Sequence, residues 1–461
     1  MTDISKSKKI SFERVLDIIK KEDSDFKKYP GSDEEATFFE DYVIETGGKY
    51  YTFDDEINTR LRLEFKNCSF SGEKTVFIMG MSCKHYVTFD GCEFSGGIYV
   101  HSGSFLKEVA FKGIRTPDFH LIGGSFSTIT FSAYEINKLW VSGGSFELLD
   151  IGYWIGGDNL GDLTVINNNG EMGNIRVRAK YLNKFSLLGT NLSYKFDFRI
   201  LKCNEVSITD FTNTGELTIF GLAPADHDKP SYFQIISSNL DKAQFYQTMF
   251  GQYTELIVID SYLIDCLFIG CQWANNVRAL RGPGYDSFKK SLETGRKIEG
   301  SEYYGIKEAY RQLKMSMNKH GDKVQETVFY SKEMNLYNHL QSWTPPWRNS
   351  FWDKLIIHFS RIFSNYGQSF LRPLFWLLAG HLLLFSFALA LKGFWPLHIN
   401  FEHPTHEGFQ NAFEKYFIYI NPLRPLATSL SGYLILLDLL MRIWSSYMIY
   451  NIIRASRRFI T

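Results

Sequence analysis

From Arg60 onward, a large apolar residue keeps returning two places after a small one, with polar residues between the returns. Cys68-Ser-Phe70 and Cys92-Glu-Phe94 are the first two cases. Gly103-Ser-Phe105, Gly124-Ser-Phe126, Gly144-Ser-Phe146 and Thr164-Val-Ile166 follow at nearly even steps. Thr190-Asn-Leu192, Thr209-Asp-Phe211 and Ser238-Asn-Leu240 carry the pattern further. Short β-type runs lie between these returns, among them Val109-Ala-Phe111, Ile129-Thr-Phe131, Leu139-Trp-Val141 and Ile257-Val-Ile259. A period of about 20 built from such runs and from Gly or Asn turns predicts a solenoid, because each coil buries its apolar face on the next. The wider gap from Phe211 to Leu240 is one coil plus an excursion through residues 223–230. The expected fold is a right-handed parallel β-helix over residues 60–276, long enough for about ten coils.

Near the end of that segment the period shortens to five. Ser238, Ala243 and Thr248 are small residues at five-residue steps, with Leu240, Phe245 and Phe250 two places behind them. Ser261, Cys266 and Cys271 resume the pattern, leading Leu263, Phe268 and Trp273. Four five-residue faces make one square coil, with large side chains at its centre. These six pairs resemble the pentapeptide-repeat family, and the resemblance covers Ser238–Trp273. Upstream, where glycine replaces the small side chain and the spacing wanders, a general right-handed β-helix describes the chain equally well.

The periodicity on either side of the solenoid is helical. Residues 1–59 are expected to form a helical cap, with a helix over Ser11–Lys21 that places Phe12, Val15, Leu16 and Ile19 on one face. After Asn276 the breaker Arg281-Gly-Pro-Gly284 opens a linker (residues 277–347), followed by a helical hairpin that turns at Gly321-Asp322. Tyr303, Ile306, Tyr310, Leu313 and Met317 lie at helical spacing before the turn, and Val324, Val328, Met334 and Leu340 after it. The run Tyr310-Arg-Gln-Leu-Lys314, then Gly321-Asp322, Phe329-Tyr330 and Glu333-Met334, resembles the linker of membrane-anchored bacterial pentapeptide-repeat proteins. The hairpin reads either as a packed neck or as a face for oligomerisation or partner docking.

Residues 348–461 read as a two-span α-helical membrane domain. Phe351, Trp352, Leu355, Ile356, Phe359, Ile362 and Phe363 form one apolar stripe over 350–365. Such a helix lies at a bilayer surface with Trp352 at headgroup level, or packs as an ordinary amphipathic helix. The uncharged run at 373–391 is long enough to span hydrocarbon. A second span is expected at 426–453, interrupted only by Asp438 and Arg442. Arg361 and Arg372 before the first span, and Arg454, Arg457 and Arg458 after the second, are the expected interface anchors. Their bias places both termini and the β-helix in the cytosol of a bacterial inner membrane. Asp438 and Arg442, four apart on one helix face, pair structurally or line a polar path, and His381 in the first span is a candidate for the same path. Residues 409–420 form a short aromatic helix ending at Asn421-Pro422. Two spans around a re-entrant helix resemble the two-helix ion-channel domain, whose start is similar to Tyr366-Gly-Gln-Ser-Phe-Leu-Arg-Pro373. No TVGYG-type run of filter carbonyls occurs.

Composition narrows the functional classes. Apolar residues make up 44% and aromatics 16% of the chain, unlike a disordered protein. Fifty basic residues balance fifty acidic ones, which argues against a nucleic-acid partner. The balance hides an asymmetry: residues 1–59 carry −6, 60–276 carry −4 and 277–461 carry +10. Six cysteines without a CxxC pair, in a chain with no apolar run at its N-terminus, are expected to be reduced and buried. Asp158, Asp162, Arg176 and Arg178 could form a polysaccharide-cleaving face, but charges outside a solenoid are usually only solvated. With no phosphate loop, HExxH or nucleophile elbow, an enzyme is not expected, and no catalytic, cofactor or metal residue is assigned. The expected function is an oligomeric membrane effector that forms or gates an ion-permeable pore under control of the β-helix, in bacterial stress or antiphage defence. The alternative is a membrane-tethered scaffold whose β-helix docks a protein partner. The expected partners are the lipid bilayer, further copies of the chain and a cytosolic protein.

Overall fold

Alternating inward apolar residues give the first unit of the chain its form: every strand pairing among the described residues is parallel, and each strand pairs with those one coil away. The computed structural model describes residues 8–21, 36–132, 134–152, 159–168, 170–226, 229–275, 277, 300–390, 406–425 and 433–457. It divides into two units, Met1–Arg296 and Lys297–Thr461. The first is a parallel β-solenoid of about ten turns over residues 36–269.

The core of the solenoid is a set of ladders. Phe39, Phe65, Phe89, Phe111 and Phe131 stack one above another with ring centroids 5.0–5.3 Å apart, and all five are buried. The spacing is that of neighbouring strands, so one aromatic residue per coil is enough to fill the column. The coils themselves are unequal. Val109 pairs with Ile129, which is the expected step, but Ala36 pairs with Arg62 and Glu205 with Tyr232, both longer. The even coil of the sequence pattern therefore holds around residues 98–151 and again where Ile175 pairs with Phe196 and Lys195 with Glu216. Elsewhere extra residues leave the coil as loops, where they do not disturb the inward pattern.

Two sequence expectations change on this point. Strands already run at Ala36–Glu40, Tyr42–Glu45, Tyr51–Asp54 and Asn58–Thr59, so the solenoid takes in part of the expected cap. Helix α1 (Phe12–Lys21) does pack on the first coils, with the Phe12 ring edge-on to Tyr51 and Phe53 at 5.1 Å. The segment with a five-residue period also departs from a four-sided square. Gln244 pairs with Leu267, because three five-residue faces are joined by a longer fourth side carrying the strand Glu255–Ile259. The corners are left-handed at Ser237, Lys242 and Gln247 (φ 48°, 57° and 53°), each one place before its small residue. Leu240, Phe245 and Phe250 are buried as the pattern requires.

Polar groups inside the coil form ladders too. Asn191 and Asn213 are fully buried, and Asn191 Nδ2 donates to Asn213 Oδ1 (3.0 Å) and to the Tyr194 carbonyl (2.9 Å). Asn191 Oδ1 accepts from the Tyr194 amide (3.1 Å), and Asn213 Nδ2 donates to the carbonyls of Gly215 and Asp241. The thiols behave as small inward hydrophobes: all six cysteines are free, and Cys271 alone is not fully buried. Burial pushes Cys203 up to about 12 and Cys83 and Cys271 up to about 11. These three are therefore protonated, unreactive thiols at pH 8. Iodoacetamide at that pH is expected to leave them unmodified in the native chain and to alkylate them after denaturation, as read by mass spectrometry.

The second unit is helical. A hairpin of α2 (Gly300–Lys319) and α3 (Lys323–Leu340) turns at Gly321 (φ +80°), and Asp322 caps α3 by accepting from the Gln325 amide at 3.0 Å. Leu313, Met317, Tyr310 and Phe329 fill its interface, where Lys314 also pairs with Glu333 at 2.7 Å. Then come α4 (Asn349–Ser364), α5 (Leu371–Ala390), α6 (His406–Ile420) and α7 (Tyr433–Arg457). Among the described residues only α5 is long and apolar enough to cross a membrane. The expected second span is a helix, but α7 carries Asp438, Arg442, Arg454 and Arg457 along its length and does not meet the same standard. The two-span domain is reduced to one candidate span on this measure.

Candidate functional site

The helical repeat of α7 separates two kinds of residue. Asp438, Met441, Ser445, Met448, Asn451 and Ala455 recur at steps of three and four and are all buried. Leu436, Leu439, Leu440, Ile443 and Ile453 lie on the other side and are each about half exposed. The helix is thus polar toward its neighbours and apolar toward its surroundings, the reverse of a helix on a water-soluble protein.

The neighbour on one side is α5. Trp444 Nε1 donates to the Trp376 carbonyl (3.1 Å), and a side chain at Gly380 would strike the Trp444 ring at 2.3 Å. At the other end of α7, Arg454 reaches Gly367, which lies just before α5 begins. The two helices therefore run antiparallel, and the glycine lets them approach closely. Asp438 lies six residues before Trp444, about 9 Å along the axis, which brings it level with the middle of α5.

At that level the loop after α6 folds back on itself and is held by three side chains. Asp438, 1% exposed, accepts from Arg424 through Oδ1 and from Arg442 Nε through Oδ2 at 2.7 Å. Arg424 also donates to the Tyr419 and Asn421 carbonyls, and its guanidinium lies 4.4 Å from the centroid of the Tyr419 ring. Arg442 Nη1 donates to the carbonyls of Pro422 (3.2 Å) and Arg424 (2.6 Å), and its Nη2 to Pro425 (3.1 Å). His381 Nε2 is 3.0 Å from the same Tyr419 carbonyl, and His381 is fully buried. Its Nδ1 has no hydrogen-bond partner among the described residues. The Tyr416 hydroxyl donates to the Leu378 carbonyl at 2.8 Å and completes the contact of α6 with α5.

The physical logic is that of a helix C-terminus packed against neighbouring helices. The last carbonyls of α6 have no intrahelical donor, and cations favour that end of the dipole. Two guanidiniums supply the donors, and Asp438 supplies the charge that lets two guanidiniums sit together. Counted as charges, the cluster of Arg424, Arg442 and Asp438 carries a net +1.

Of the residues singled out in the sequence, His381, Asp438 and Arg442 are brought together here. Arg424 is the member that sequence reasoning missed, because it lies in a loop, 14 residues before Asp438 and off any helical repeat. The expected interface residues lie elsewhere in the unit. Trp352 and Arg361 are exposed on α4, Arg372 on the first turn of α5 and Arg457 at the end of α7. Arg454 instead lies over the Tyr330 ring of α3 at 5.2 Å. Arg458 falls outside the described residues. On the solenoid, Arg176 and Arg178 share an outward face, whereas Asp162 belongs to another ladder beside Lys184, and Asp158 falls outside the described residues. No group of His, Cys, Asp and Glu suited to a metal ion occurs among the described residues. Compared with known proteins, the chain matches no family model, no curated protein and no solved structure.

Proposed function

We propose that the second unit is a membrane effector domain which, joined by further copies of the chain, forms or gates an ion-permeable path under the control of the β-solenoid. The observation that carries this reading is the inverted pattern of α7, with Asp438, Ser445 and Asn451 buried and Leu436, Leu439 and Leu440 outward. A bilayer accommodates that pattern, because it welcomes the apolar face and requires the ionisable groups to be paired inside. Exposed Leu382, Leu383 and Phe387 on α5, and Phe413 and Phe417 on α6, extend the apolar surface. Basic side chains at Arg348, Arg361, Arg372 and Arg457 cluster at the ends that precede α5 and follow α7, in keeping with a cytosolic side for both. One α6 ending level with the middle of α5 resembles a re-entrant helix. Here guanidiniums occupy its C-terminal end, where a cation-selective pore would leave the helix dipole free for the ion.

The test is flux from liposomes holding the full chain. Chloride is expected to leave faster than potassium, because Arg424 and Asp438 neutralise each other and Arg442 remains as the net charge. Arg442→Gln keeps that neutral pair and is expected to lower chloride flux several-fold. A second reading, a scaffold whose helices only anchor it, is favoured by the complete internal pairing of Asp438. Protein that inserts but conducts neither ion would leave the scaffold in place.

A further inference from the structure

We propose that the solenoid carries an anion site at Arg178 and Arg199 that takes the phosphate group of a phosphorylated small molecule, a proposal independent of the membrane reading. The strands Asn174–Asn191 and Lys195–Asn213 point alternate residues outward, and their register sets Arg176 beside Asp197 and Arg178 directly beside Arg199. Like charges opposite each other on neighbouring strands repel, so the pairing of Arg178 with Arg199 works against the fold unless an anion lies between them. Their neighbours answer for only part of the charge. Arg176 pairs with Asp150 at 3.4 Å, Arg199 Nε with both oxygens of Asp197 at 3.2 Å, and Lys195 with Glu216 at 3.3 Å. Arg178 has no acidic partner among the described residues, although it is half-buried.

These side chains line a groove of about 480 Å³, completed by Thr218, whose volume falls in the range of small-ligand sites. On the far side of Arg178 stands Gly152, where any side chain would meet the Arg178 carbonyl at 2.0 Å, and beside Arg199 stands Phe220. The cationic ladder is therefore two residues long and closed at each end. A polyanion needs a longer stripe of basic residues, whereas one phosphate needs a fork of guanidiniums and a hydroxyl. Asp197 keeps the Arg199 fork oriented without cancelling Arg178.

The experiment is calorimetric titration of the full chain in detergent at near-physiological salt, with inorganic pyrophosphate and adenosine triphosphate as probes and heparin as the polyanion. Saturable binding of either phosphate probe is expected, weakened at least tenfold by Arg178→Gln and by Arg199→Gln. Arg178→Lys, which keeps charge without the fork, is expected to fall between. Arg115→Gln, at an exposed arginine elsewhere on the solenoid that pairs with Glu135, is expected to bind like the unaltered chain. All three positions point outward, so circular dichroism should be unchanged. Absence of saturable binding by both phosphate probes, equal binding in Arg178→Gln, or binding confined to heparin would each overturn the proposal.

Discussion

Asp438→Leu is expected to cost the helical unit about 3–5 kcal/mol, since it leaves the buried Arg424 beside the half-buried Arg442 with no counter-charge. The loss should appear as a lower midpoint of thermal unfolding in detergent and as protease cleavage within residues 419–425. Single replacement of Arg442 should be milder, because Arg424 still holds Asp438 from the other side. The comparison that separates charge from shape is Arg424→Leu/Asp438→Leu/Arg442→Leu. Apolar replacement of a whole buried ion cluster is often neutral for stability, so the triple variant should be more stable than Asp438→Leu alone. Should the triple variant unfold as readily as the single one, the carbonyl contacts of the two arginines, and not the charge balance, hold the loop.

The comparison also bears on function. A double Asp438→Leu/Arg442→Leu variant that fails to conduct says little, because Arg424 would then stand unpaired and the fold around α6 would suffer. Arg442→Gln keeps the clamp's remaining pair and is the cleaner probe of conduction.

The second large effect is expected in the solenoid. Asn191→Ala would remove the acceptor of the half-buried Tyr194 amide and the donor to the fully buried Asn213 Oδ1. Each buried group left without a partner costs about 1–3 kcal/mol, so a loss of about 3 kcal/mol is expected. Asn213→Ala should cost a similar amount. The double variant should cost less than the two together, because the Asn191–Asn213 bond is counted once in each single change. Chemical denaturation of the four proteins, followed by circular dichroism, gives the coupling directly. Strict additivity would show that the two asparagines act as separate turn braces.

Much of this architecture is legible in the sequence, and the failures have physical causes. The solenoid announces itself because a coil that stacks on its neighbour must repeat its inward residues, as Phe105, Phe126 and Phe146 do. The first coils stay hidden because Phe39 fills the column, and Phe53 packs edge-on to Phe65, outside the even pattern that begins after Arg60. The four-sided square fails at Ser238–Trp273 because the five-residue period covers three sides, and nothing in the repeat itself reports the length of the fourth. The hairpin is legible from Gly321-Asp322 and the apolar spacing around it. In α7 the leucines conceal an inward face of Asp438, Ser445 and Asn451, so the segment reads as a span before its polarity is sorted by side. Arg424 could not be found from periodicity at all, since a loop residue meets its partner only through the tertiary fold.

The unequal coils have one last consequence. In arrays of identical repeats a unit can be deleted or duplicated, because every interface is the same. Here Ala36 stacks on Arg62, Val109 on Ile129 and Glu205 on Tyr232, three coils of three different lengths, so the interfaces differ along the stack. Whole turns are interchangeable only where neighbouring coils match, as at Ser104, Ser125 and Ser145. At the longer coils a turn has one fitting pair of neighbours, which anchors each end of the solenoid at its own place in the stack.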